Sequence, residues 1–183
     1  MKSAVFIDVG YLIQVSKIKQ IRLDFRKLSD ELTNGTECVK TLIYDTVPPD
    51  TGDEKGKRLR SKTQMFHTQL RRYKNFEVKL GRLQKVGDKF QQKGVDITLA
   101  VDLIQMSMRK EIDKAIIITA DSDFKYAVQQ AKKENIIISL SCFPVSKING
   151  PFRKSFTNQI PIDDTLINKC KLFTDRKKCN ESF

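Results

Sequence analysis

The sequence predicts an α/β fold: a parallel β-sheet of about five strands in the order 3-2-1-4-5, with helices on both faces. Three observations carry this. Strand-like runs alternate with stretches of helical period along the chain. One run, "KAIIITAD" (Lys114–Asp121), is continuously apolar, as in a strand buried on both faces. That run and the first one, "SAVFID" (Ser3–Asp8), both end in aspartate. Open parallel sheets bind ligands at the carboxyl ends of their strands.

Along the chain, "SAVFID" is strand one, and "GYLIQVSKI" and "DFRKLSDEL" are helical pieces of the first crossover. "CVKTLIYD" (Cys38–Asp45) is strand two; the Pro, Gly and Asp of "TVPPDTGDEKG" mark a loop. From Lys55 to Tyr73, apolar Leu59, Met65, Phe66, Leu70 and Tyr73 punctuate a polar stretch at helical spacing. "FEVKLGRL" alternates and is read as strand three, stopping at Gly81. Next comes a largely buried helix, with Ile97, Ala100, Val101, Ile104 and Met108 on its face, widened by Leu99, Leu103 and Met106, and Asp96 at the N-cap. "KAIIITAD" is strand four, "SDFKYAVQQAKKEN" a helix ended by Asn, and "IIISLSCF" strand five. The mixed stretch "PVSKINGPFRKSFTNQIPIDDTLINKCKLF" adds a strand or helix over the sheet edge. The expected organisation is one domain over 1–168 and a basic tail over 169–183.

Composition narrows the function classes. Hydrophobic residues make up 39% of 183, enough for a core without disulfide staples. No apolar run reaches the roughly 20 residues that span a bilayer. The four cysteines lack C-x-x-C spacing and read as free thiols of a reducing, cytoplasmic compartment. One histidine and no Cys/His spacing argue against zinc. The formal net charge of +12, with "KGKRLRSK", "RRYK" and "KCKLFTDRKK" as clusters, favours a polyanionic partner over a merely lysine-rich surface.

Against that basic background stand four acids: Asp8, Asp96, Asp121 and Asp123. Singly, each has an ordinary explanation as a turn former or helix cap. Jointly, at strand ends and one helix start, they make a hard, oxygen-only set suited to Mg²⁺ or Mn²⁺. Four such acids without a cation repel one another. Asp102, further along the same helix, is a supporting residue, and Asp45 a weaker rim candidate.

The residues also carry a resemblance. "FIDVGYL" (Phe6–Leu12), "KGVDITLAVDLI" (Lys93–Ile104) and "TADSDF" (Thr119–Phe124) occur in the order of the NYN domain motifs. The chain resembles the LabA-like branch of these PIN-like nucleases over about residues 3–145. Val9, Tyr11 and Thr119-Ala120 depart from the usual Gly, Asn and Ser-Gly. The resemblance implies a PIN-like fold, Mg²⁺ or Mn²⁺ held by Asp8, Asp96, Asp121 and Asp123, and hydrolysis of RNA phosphodiesters. Lys93, Lys57, Arg58, Arg60, Arg71, Arg72 and Arg82 are the expected RNA-backbone contacts. The expected partners are RNA and a second copy of the chain, with no membrane. The rival reading is an inactive RNA-binding or scaffold protein on the same fold. A haloacid-dehalogenase-type phosphatase would need D-x-D at strand one, where the third position here is Gly10.

Overall fold

The computed structural model describes residues 1–49, 51–86 and 89–172, with the side chains of 82–93 outside that description. The strands are β1 (Lys2–Asp8), β2 (Glu37–Thr46), β3 (Phe76–Val86), β4 (Lys89–Lys93), β5 (Lys114–Ile118), β6 (Ile137–Cys142) and β7 (Asn158–Pro161). The helices are α1 (Val9–Ile18), α2 (Phe25–Leu32), α3 (Glu54–Leu70), α4 (Val95–Met108), α5 (Lys125–Lys132), α6 (Gly150–Arg153) and α7 (Asp164–Cys170). One sheet runs β4-β3-β2-β1-β5-β6-β7. Its parallel strands, numbered among themselves, run 3-2-1-4-5-6, which is the expected order with one strand added at the β7 edge.

The central strands owe their position to their side chains. Ala4–Ile7 of β1 and Ala115–Ile118 of β5 are wholly buried. Such unbroken apolar runs are stable only with helices on both faces. Each large buried side chain contributes about 1.5–3 kcal/mol. Right-handed crossovers put α1, α2 and α3 on one face and α4 and α5 on the other.

Three expectations change. The third strand does not stop at Gly81: β3 continues to Val86 and pairs antiparallel with β4, Arg82 opposite Lys93. The Gly87-Asp88 dipeptide between two five-residue runs was the available signal. The N-cap of α4 is Gly94 rather than Asp96, with φ at +87°, a backbone conformation that glycine adopts without strain. The face of α4 is also turned. Val95, Leu99, Leu103 and Met106 are buried, while Ile97, Val101 and Met108 are exposed. Periodicity alone cannot choose between sides of a helix that is apolar nearly all round.

At the carboxy-terminal side the fold continues past residue 168. Cys170 is fully buried, Asp24 N–H donates to its carbonyl at 2.8 Å, and Lys171 bridges Leu23. Residues 173–183, most of the expected basic tail, lie outside the described residues.

Candidate functional site

Asp8 is the last residue of β1 and the N-cap of α1: its Oδ1 accepts the Tyr11 N–H at 3.1 Å. Its Oδ2 accepts the hydroxyl of Thr119 at 3.0 Å. The same hydroxyl accepts the Asp121 N–H at 3.1 Å. Thr119 is fully buried, so one side chain ties the acid of β1 to the acid just beyond β5. Asp121 then caps a 3-10 turn, Ser122–Phe124, accepting the Asp123 N–H at 2.9 Å. The expected single helix over 122–135 is therefore this turn and then α5.

Sheet register explains how Asp96 joins them. Asp8 pairs with Tyr44, and Tyr44 with Lys79. In-register neighbours of a parallel sheet point to the same face. The Tyr44 hydroxyl donates to Asp102 of α4 at 2.9 Å, which identifies that face as the one α4 covers. Asp8 thus faces the side on which Asp96, in the first turn of α4, stands.

Charge couples the four acids. The Asp8 carboxyl is pushed above its ordinary value, first by burial and also by the charges of Asp96 and Asp121; its two hydrogen bonds pull the other way. Asp96 is raised too, by partial removal from water and then by Asp121 and Asp123. All four therefore belong to one mutually repelling group. Asp121 and Asp123 are exposed and Asp8 is half-buried, so the group forms an open rim with a buried root.

The family profile of the NYN domain matches residues 2–163. The chain belongs to the NYN domain family. Its fold is accordingly of the PIN-like nuclease type. A protein of unknown function from Vibrio parahaemolyticus has a similar crystal structure: TM-score 0.69, 21% identity, covering 93% of this chain and 96% of that one. The likeness shows the shared fold. No curated protein matches the sequence.

The NYN domain's acids fit a hard divalent cation. The donors are all oxygens, and Mg²⁺ keeps several waters and needs only one or two carboxylates. The raised Asp8 and Asp96 mark a negative field that a cation relieves. Among the described residues, no three acidic, histidine or cysteine side chains stand close enough together to hold a metal ion between them.

The polar residues around the rim have definite tasks. Asp102 holds Tyr44 and lies 3.9 Å from Lys79, whose ammonium also pairs with Glu77. Tyr11, at the position usual for Asn, is buried. Its hydroxyl accepts the Phe143 N–H at 2.9 Å and bonds Ser146 Oγ at 2.7 Å. That side chain braces α1 against the end of β6 rather than reaching the acids. Ser122 is half-buried at the start of the turn.

The basic residues do not form one patch. Lys57 and Arg58 are exposed near the start of α3; Lys57 pairs with Glu54 at 3.4 Å. Arg60 donates to the Pro48 carbonyl at 3.0 Å. Arg71 caps the other end of α3, and Arg72 is next to it. The fourteen positions from Lys57 to Arg71 correspond to about 21 Å of helix. Arg82 and Lys93 pair across the β3–β4 hairpin, and their side chains lie outside the described ones. A concavity of about 260 Å³ lies along α3 between Ser61 and Arg72, and none of the acids lines it. Tyr73 lies under Arg26, 4.8 Å from its guanidinium, and against Phe76.

Sequence reasoning missed the dyad of His67 and Asp45. His67 Nε2 and Asp45 Oδ2 are 2.7 Å apart, and the histidine is 1% exposed. The pair fastens the last turn of α3 to the carboxyl end of β2. The signal was a lone histidine on the apolar side of an amphipathic stretch.

Proposed function

We propose that this NYN domain is a divalent-metal-dependent endoribonuclease. The observation that carries the reading is the Asp8–Thr119–Asp121 bridge at the carboxyl ends of the central strands, with Asp96 near enough to feel the charges of Asp121 and Asp123. When bound there, Mg²⁺ or Mn²⁺ supplies a more acidic water and polarises a phosphoryl oxygen.

The chain's own residues set the geometry. Asp8, braced at both oxygens, would hold the ion at the root. Asp96 and Asp121 would complete the acidic set that holds it. Asp123, exposed, with its N–H bonded to Asp121, would orient the attacking water. Thr119 ties the Asp8 carboxylate to the Asp121 backbone N–H. Lys57, Arg58 and Arg60 on α3 take the RNA backbone without reading sequence; Arg71 and Arg72 extend that track away from the rim. Arg82 and Lys93, paired across the β3–β4 hairpin, are further candidates for that role.

The test is incubation of RNA and DNA with and without Mn²⁺, with Asp8→Asn as control and RNA binding measured in parallel. Mn²⁺-dependent internal cleavage of RNA, lost in Asp8→Asn while binding persists, is the expected result. Binding without cleavage by the wild type overturns the reading in favour of the inactive RNA-binding protein.

A further inference from the structure

The first fully exposed side chain past Asp123 is an aromatic one. Tyr126 is 69% exposed and, among the described residues, makes no hydrogen bond and joins no ring pair. The other aromatic side chains described are buried or, as Phe66 and Tyr73, packed against a neighbouring ring. Exposed helix positions suit straight-chain polar residues; tyrosine there gives up helix propensity and buries little in return. Its place ties it to the acids. Asp123 lies in the 3-10 turn Ser122–Phe124, and α5 follows without a break from Lys125. Residues three apart share a side in either kind of helix, so Tyr126 stands one turn beyond Asp123 on the same exposed side. Phe124, Ala127 and Val128 take the buried side. The Cα–Cβ bond of a helical residue tilts toward the amino end, so the Tyr126 side chain leaves α5 toward the rim.

We infer that Tyr126 is a platform on which one base stacks beside the acids, and that the substrate is RNA unpaired at the cleavage position. The inference rests on the ribonuclease reading above and adds the substrate class to it. Ring and acid are one helical turn apart, about 5 Å along the axis, so the nucleoside attached to a phosphate at the acids can reach the ring. Stacking on an aromatic side chain does not read sequence, because every base has a π-face. It does read pairing. Within a duplex both faces of a base are covered by its neighbours, whereas single strands, loops and bulges present bases that can be splayed out onto a ring. The basic residues of α3 hold backbone at any point along a strand. The platform supplies what they lack, the alignment of one nucleotide with the acids.

Two measurements test it. The chain contains no tryptophan, so Tyr126→Trp in an Asp8→Asn background gives a single indole, at the platform. Its fluorescence is expected to be quenched by a single-stranded oligoribonucleotide and not by a fully paired duplex of the same sequence. No quenching, or equal quenching by the duplex, overturns the inference. The second measurement is Mn²⁺-dependent cleavage of single-stranded RNA, with and without one abasic nucleotide scanned across the cleavage position. Tyr126→Ala is expected to lower kcat/KM on the order of 10-fold, with melting unchanged, and Tyr126→Phe to restore it. An abasic nucleotide at one position is expected to cost the wild type a similar factor and Tyr126→Ala nothing further. A Tyr126→Ala variant that cuts as well as the wild type, or an abasic defect equal in both, overturns the inference and leaves the ribonuclease reading standing. Quenching by single strands without cleavage by the wild type keeps the platform and overturns the ribonuclease reading.

Discussion

At the scale of the residue, the site rests on a hydroxyl. Thr119 donates to the Asp8 carboxylate and accepts the Asp121 backbone N–H, so one buried side chain ties the end of β1 to the segment just past β5. Thr119→Val keeps the shape and removes both bonds. We predict a stability loss of about 1–3 kcal/mol by chemical denaturation. Cleavage is predicted to fall on the order of 10–100-fold with RNA affinity kept, and Thr119→Ser to restore it. The acids themselves were legible in the sequence because carboxylates at strand ends are conspicuous. The role of Thr119 was not, since a threonine before an aspartate is an ordinary cap or turn residue until β1 and β5 lie side by side. Tyr11 was legible only as a departure; its bonds to Phe143 and Ser146 appear once β6 is placed.

At the scale of the element, α3 is the unusual part. From Glu54 to Phe66 none of its residues is fully buried; His67 and Leu70 alone within it are. His67 is pinned to Asp45 at the carboxyl end of β2, so the preceding turns lie beyond the sheet, on the side where β1 delivers Asp8. An exposed helix this basic contributes little to the core and much to the surface field. We predict that replacing Lys57 and Arg58 together by alanine weakens RNA binding and lowers its salt dependence by roughly 0.7 per lost phosphate contact. The same change at Arg71 and Arg72 is predicted to have the smaller effect. Filter binding at several salt concentrations separates the two. The basic clusters were evident in the sequence, but their separation along one helix was not, because it depends on where His67 anchors.

At the scale of the whole molecule, basic surface and acidic rim are complementary parts of one charge distribution. The folded-state values of Asp8 and Asp96 lie above the unfolded value of 3.8. Their favourable contribution is therefore complete below 3.8 and is lost as pH rises through the raised values. At pH 7 the cation-free protein carries the full repulsion. We predict that Mn²⁺ raises the melting temperature at pH 7 by mass action. Asp8→Asn is predicted to melt higher than the wild type without Mn²⁺ and to respond less to the ion. The difference between the two is predicted to close as pH falls toward 4. Differential scanning calorimetry with and without Mn²⁺ checks all three.

The sequence by itself determined the order of the parallel strands and the crossover helices, and it singled out the four acids of the proposed site, because these arise from local period and from polar residues placed where apolar runs end. Only the tertiary structure decided which side of α4 is buried, where β3 turns back, and that one threonine joins two of the acids. Those outcomes depend on contacts between segments distant in the chain, and a one-dimensional pattern does not encode which of two apolar faces will meet the sheet.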